Sequence, residues 1–221
     1  MNLRLDLATP GRRIWAQRQW TEHHYLHAPI DDRCAVLAYV VRLDDDPDAP
    51  YVGALGFGRP ESTRCYRGLL TYGGVDDVRS GRAQYSRWEV LNLARVWLSP
   101  KIQRGGQWYA PNAATWAIGE ALRRVVVDYL AAYPPCFLFD PWRLRAVLSY
   151  CDRRLHQGTI YKAAGFRLAR VNADGIETWT RPLRGLQGHE RRQIERLTEQ
   201  SARSRRYRAQ RASIATQGVL L

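Results

Sequence analysis

Arg95 lies in the run Leu91-Asn92-Leu93-Ala94-Arg95-Val96-Trp97-Leu98, a charge set into an otherwise apolar strand. A guanidinium buried there without a partner would be costly, so a carboxylate, a phosphate or a carbonyl is expected opposite it. Period two places Leu91, Leu93 and Arg95 on one face. Asp152 follows a second strand, Ala146 to Tyr150, at the C-terminal end where site residues collect in such sheets. It could pair with Arg95, accept a proton from an amine or hold a metal. His24, Tyr25 and Asp152, with His156 as a further member, form a nitrogen-and-oxygen set suited to iron if they converge. A lone histidine is more often a hydrogen-bonded structural residue, which is the plain reading of His23 and His27.

The elements that must position these residues read as an α+β order. Ala35–Val41 and Tyr51–Phe57 are apolar, β-branched and aromatic runs separated by Asp44-Asp45-Asp46-Pro47, and they read as a hairpin. Residues 1–20 are mixed and basic, with no clear element. Residues 58–86 read as loop, with a short strand near Leu69–Tyr72. Glu89–Leu98 is a strand stopped by Ser99-Pro100. Asn112 serves as N-cap of a helix reaching about Tyr129, with Trp116, Ile118, Gly119, Leu122 and Val126 as its inward stripe. A short helix, about Gly158–Ala164, ends at Gly165 in a left-handed cap. Arg167–Val171 and Glu177–Arg181 turn at Asn172–Gly175 as a final hairpin.

The 221 residues fit one domain, expected over 1–183, with an Arg-rich appendage over 184–221. The net charge is +13, and of 34 basic residues only Lys101 and Lys162 are lysines. Guanidinium binds phosphate through paired hydrogen bonds, so the balance favours a polyanionic partner. The appendage contributes Arg203, Arg205, Arg206 and Arg208, and the N-terminal stretch Arg12 and Arg13, as phosphate contacts. Trp15, Trp20, Trp88, Trp108 and Tyr109 are candidates for stacking on bases, although most aromatics belong to cores. Cys34, Cys65, Cys136 and Cys151 contain no C-x-x-C pair, which argues against a zinc knuckle or a disulfide framework. Neither a signal-like apolar run nor a membrane-length stretch is present, so a soluble cytoplasmic protein is expected.

Several segments resemble one family. Ile160-Tyr161-Lys162-Ala163-Ala164-Gly165-Phe166 resembles the segment of the GNAT acyltransferase superfamily in which a Tyr-bearing helix ends in Gly-Phe. Ser149-Tyr150-Cys151-Asp152, then His156-Gln157-Gly158-Thr159-Ile160-Tyr161, resembles the S-Y-A-D and H-x-G-T-I-Y-x-A segments of the phage Mom-type DNA-modification proteins within it. Leu93–Trp97, Asn112–Trp116, His24-Tyr25 and Gly53–Gly58 resemble four further segments of that family, in order, over roughly residues 20–183.

The resemblance implies a mixed, mostly antiparallel GNAT-like sheet flanked by helices, and an acetyl-CoA or related acyl-CoA donor. It also implies modification of the exocyclic amine of adenine in double-stranded DNA, protecting phage DNA from restriction in a bacterial host. It gives Tyr161 the role of protonating the departing thiolate, a task suited to a phenol that keeps its proton at neutral pH. Arg95, Asp152, His24 and Tyr25 complete the catalytic set. Gln103, Gly105 and Gly106 stand where the superfamily carries its pyrophosphate loop, with altered spacing, and the helix opening at Asn112 and Thr115 could hold phosphate on its amides. Two other readings remain open: a GNAT N-acetyltransferase acting on another amine (protein, modified pyrimidine or small molecule), and a non-catalytic DNA-binding protein on the same fold. A homodimer is also open.

Overall fold

The computed structural model describes residues 2–30, 35–43, 49–60, 72–73, 85–86, 89–132 and 144–184, with 192, 196 and 199 beyond them. Most of the Arg-rich appendage, including Arg203, Arg205, Arg206 and Arg208, together with Trp88, Cys34, Cys65, Cys136 and the Asp44–Pro47 turn, therefore lies outside the described residues.

The strands are β1 (Leu3–Leu7), β2 (Ala35–Leu43), β3 (Tyr51–Gly58), β4 (Tyr72–Gly73), β5 (Tyr85–Ser86), β6 (Val90–Leu98), β7 (Ala146–Asp152), β8 (Arg167–Val171) and β9 (Ile176–Pro182). The helices are α1 (Pro10–His23), α2 (Ala113–Ala132) and the short α3 (Thr159–Ala163), with a 3-10 turn at Pro100–Ile102. Seven strands form one sheet in the order β1-β2-β3-β6-β7-β9-β8, while β4 and β5 pair apart from it. Every pairing in the large sheet is antiparallel except β6 with β7. This is the mixed, mostly antiparallel α+β class expected from the sequence.

One face of the sheet carries α2. Its buried stripe is Ala117, Ile118, Ala121, Leu122, Val125, Val126, Tyr129 and Leu130, packed on Leu5, Tyr39, Val41, Leu55, Phe57, Leu91 and Leu93. The stripe is turned slightly from the expected one: Trp116 and Gly119 sit at its margin, and small alanines let the helix approach the sheet. The other face carries α1, an element the sequence did not reveal. Its seat is Trp20, which is buried with Ala16 against Ile30, Ala38 and Ala54. Gly56 makes this possible: a Cβ there would stand 2.3 Å from Ile30 Cδ1 and 2.7 Å from Trp20. Gln17 ties the following segment to the helix, donating to the Ile30 carbonyl at 3.0 Å and accepting its N–H at 2.9 Å.

The central strands do not stay together. β6 and β7 pair only over Val90–Asn92 and Ala146–Leu148, after which they part. Where pairing ends, the Ser149 hydroxyl donates to the Leu93 carbonyl at 2.8 Å, and a cleft opens beyond. Among the described residues no helix is long and apolar enough to cross a membrane.

Candidate functional site

The parting of β6 and β7 leaves a cavity of about 390 Å³. Val96 and Trp97 line it from β6, Tyr150 and Cys151 from β7, His23, His24 and Tyr25 from the end of α1, and His156 through Tyr161 from the turn and short helix after β7. Val96, Cys151, Ile160 and Tyr161 belong with the core on the α2 face, whereas Trp97 belongs with the cluster under α1. The cavity is thus lined from both faces of the sheet.

Tyr161 is held by a short sequence device. Gly158 adopts φ +66 and its carbonyl accepts from the N–H groups of Tyr161 and Lys162, starting a helix one turn long. Gly165 (φ +79) then reverses the chain, in the left-handed conformation expected there. The Tyr161 ring packs edge-on to Phe166 at 5.8 Å and roughly parallel to Trp179 at 6.2 Å. Burial pushes its hydroxyl up to about 12, against the pull of a hydrogen bond with Ser149. A phenol in that range is a poor source of a fully transferred proton for a thiolate with a conjugate acid near about 8.5. It remains a good hydrogen-bond donor to sulfur as negative charge develops there.

His24 is almost completely buried, with 9% of its surface exposed. Burial first, then the charges of Arg95, His156 and His27, bring its pKa down to about 4, so the ring is neutral at neutral pH. Its Nδ1 accepts the Leu26 N–H at 3.2 Å, which leaves the proton on Nε2. The Tyr25 ring stands 4.4 Å from that of His24 and 5.3 Å, edge-on, from that of His156.

Arg95 departs from the period-two expectation. Between Gly56 and Phe57 the β3–β6 register slips, Gly56 facing Arg95 and Phe57 facing Leu93, so Ala94 is an extra residue. A bulge of this kind re-aims the side chains after it. Arg95 is thereby turned from the face of Leu91 and Leu93 to the α1 face, where it donates to the carbonyls of Ala28 at 3.2 Å and Pro29 at 3.4 Å, and to that of Ala94 at 2.8 Å. It thus links β6 to the segment that follows His24 and Tyr25.

Asp152 is engaged elsewhere. Arg154 donates to both its oxygens, from Nε at 3.0 Å and Nη2 at 2.7 Å, and its backbone N–H adds a third bond at 2.9 Å. These hydrogen bonds hold the carboxyl at about 2, where it is a weak base, and Asp152 is not part of the cavity lining. The set suited to iron is not brought together: among the described residues no group of three or more His, Cys, Asp or Glu side chains is disposed to hold a metal ion. His24 and Asp152 already spend an acceptor nitrogen and both carboxylate oxygens on the backbone and Arg154.

The 103–115 loop lies at the C-terminal end of β6 and outside the cavity lining. Gly106 is pressed against Pro100 and Lys101, with room for no side chain, and Gln103 donates to the Leu98 carbonyl at 2.8 Å. Asn112 has φ +60. Its carbonyl accepts the Trp116 N–H at 2.8 Å, which sets α2 going towards Thr115 and beyond. The first N–H groups of such a helix have no partner within it. Cys151 is a buried free thiol whose pKa burial raises, which suits an inert core residue.

No protein-family model and no curated protein matches the sequence. Solved structures give distant likenesses. A domain from Methanocaldococcus jannaschii aligns with a TM-score of 0.45 at 6% identity, over 82% of this chain and 99% of its own. A GNAT-family acetyltransferase from Listeria monocytogenes gives 0.43 at 12% identity, over 82% and 95%. An N-acetyltransferase from Campylobacter jejuni in complex with acetyl coenzyme A gives 0.38 at 10% identity, over 82% and 99%.

Proposed function

We propose that this chain transfers an acyl-derived group from a coenzyme A thioester to an amine, and that the amine is the exocyclic amine of adenine in DNA. The observation that carries the transfer reading is the cavity between β6 and β7, lined from both faces of the sheet with Tyr161 on one side. Two substrates approaching from opposite faces of the sheet would meet there. Its volume falls in the range of small-ligand sites, about 300–1,000 Å³.

On the β6 side, the backbone beyond Asn92 has no β7 strand opposite it. An extended amide chain such as the arm of the donor can hydrogen-bond there as a surrogate strand. The donor's phosphates would lie on the amides opening α2 near Asn112 and Thr115, beside Gln103, Gly105 and Gly106. On the other side, His23, His24, Tyr25 and Trp97 offer flat rings suited to an extruded base. The net charge of +13 suits its polyanionic carrier, and the choice of adenine rests on the Mom-type segments.

The amine nitrogen attacks the thioester carbonyl carbon, the C–N bond forms, and the C–S bond breaks. The amine loses one proton and the thiolate takes one up, so no external oxidant or reductant is needed. Tyr161 donates a hydrogen bond to the sulfur as charge gathers on it, and the thiolate takes its proton from solvent as it leaves. The lone pair of an adenine amine is delocalised into the ring, so attack needs a base or another activation of the amine as the C–N bond forms. The neutral His24 ring, with Nε2–H as donor, is available to the carbonyl oxygen. Arg95 acts as a positioning residue for the His24–Tyr25 segment.

The test is mass spectrometry of nucleosides from plasmid DNA after bacterial expression of wild type and Tyr161→Phe. A modified deoxyadenosine is expected with wild type, reduced about tenfold or more in the variant at equal soluble protein. Unmodified DNA alongside folded wild-type protein overturns the DNA acceptor. Release of free thiol from acyl-CoA with other amines would then mark a different acceptor, and its absence would overturn transfer itself.

A further inference from the structure

The Asp6 carboxylate on β1 faces three guanidiniums, Arg42 at 2.9 Å, Arg4 at 3.0 Å and Arg12 of α1 at 3.7 Å. These four side chains carry two more positive charges than negative. Arg4 and Arg12 keep 56% and 35% of their side-chain surface open. The Arg12 guanidinium also stands over the Tyr51 ring, 5.5 Å from its centre.

A series of rings continues from there. Tyr51 meets Trp15 at 5.0 Å, Trp15 meets Trp97 edge-on at 6.0 Å, and Trp97 stacks on His23 at 5.4 Å. Trp97 and His23 line the cavity. Trp15, Tyr51 and Trp97 are half-buried and His23 is exposed. Trp15 and Trp97 border the cluster that seats α1 around the buried Trp20, yet both stay half-buried, and with Tyr51 they form a row of partly open rings running from the arginine cluster to the cavity.

We infer that this track, from Arg4 and Arg12 along Tyr51, Trp15 and Trp97 to His23, seats the nucleic-acid strand that flanks the base presented to the cavity. The inference rests on the reading of the cavity as a site acting on nucleic acid. Guanidiniums bind phosphate oxygens through paired hydrogen bonds, and a partly open ring stacks on any base because every base has a π-face. An acidic polypeptide would use the charges and leave the rings idle. From Arg12 to His23 the helix rises roughly 16 Å, the axial length of about five nucleotides of one DNA strand.

The experiment measures direct binding of a labelled single-stranded oligodeoxynucleotide, and of the matching duplex, over a series of salt concentrations. Arg4→Gln with Arg12→Gln is compared with Lys162→Gln and Arg167→Gln, which removes the same charge from α3 and β8. The first pair is expected to weaken binding about tenfold or more at low salt and to lower the log–log salt slope by about one to two. The second pair is expected to change the slope by less than half as much. Equal changes for both pairs, or none for the first, would overturn the track. Tyr51→Leu, with folding checked by thermal melt, should weaken the oligonucleotide and leave polyglutamate binding unchanged. Equal weakening of both ligands, or none, would overturn the stacking role. Binding is read without any transfer step, so DNA modification that persists with an unchanged slope fails the track alone. A lowered slope on unmodified DNA fails the transfer reading alone.

Discussion

The Ser149 hydroxyl reaches across to the Leu93 carbonyl at 2.8 Å, one residue past the last paired position of β6 and β7. A side chain thus replaces the ladder bond where the sheet must stop. The same hydroxyl draws the Tyr161 pKa down against burial, so one residue both ends the pairing and borders the phenol beside the opening.

Ser149→Ala is expected to leave a buried carbonyl unsatisfied, with a stability cost of about 1–3 kcal/mol, and to lower transfer about tenfold through Tyr161. A merely structural role would lower activity equally in any background. In a double-mutant cycle with Tyr161→Phe, the effect of Ser149→Ala on kcat should shrink towards none. Additive losses would remove the coupling.

His24 makes folding sensitive to mild acid. Its folded pKa is about 4, below the unfolded value of about 6.5, so the unfolded chain binds the extra proton between these values. The stability contribution is fully present above about pH 6.5 and is lost as pH falls towards 4. After discounting for partial solvent screening, the loss is roughly 2 kcal/mol. Denaturant melts at pH 7 and pH 4.5 should differ by about this amount in wild type. His24→Gln, stable or not, should show a smaller difference; an unchanged difference would exonerate His24.

The strands legible in the sequence were those with strong apolar or β-branched runs: β2, β3, β6, β7 and the β8–β9 hairpin. Helix α2 showed itself by its period and α3 by the glycines at its two ends. Helix α1 was hidden because Arg12, Arg13, Gln17, Arg18 and Gln19 blur its period, leaving only Ala16 and Trp20 buried; the Thr9-Pro10 start was the available signal. Period two misplaces Arg95 because a bulge adds one residue without changing the composition of the strand. The bond from Arg154 to Asp152 spans two residues and was in plain view, yet a surface arginine beside a carboxylate carries no sequence mark of pairing. His24 and Tyr25 beside Tyr161 could be supposed from the family segments, but their meeting depends on α1 crossing the sheet.

Gly158 offers the sharpest test of how Tyr161 is set. The residue has φ +66, and a Cβ there would lie 2.6 Å from Trp179 Cζ2 and 3.0 Å from Glu177 Oε2. Trp179 cannot easily give way, since it is buried and its Nε1 donates to Glu177 at 2.9 Å, which in turn meets Arg153 at 3.3 Å. Gly158→Ala therefore meets both a left-handed backbone and a packed ring. A loss of about 2–4 kcal/mol is expected from the strain and overpacking together. Because the Gly158 carbonyl accepts from Tyr161 and Lys162, the movement that relieves the clash must also shift α3. Transfer should fall more than the folded fraction does. Gly175→Ala, at the same kind of backbone but with nothing within 4 Å of its Cβ, should cost only about 1 kcal/mol and leave the activity of the folded protein intact. Equal losses at the two glycines would show that backbone conformation alone matters and that the Trp179 contact does not set α3.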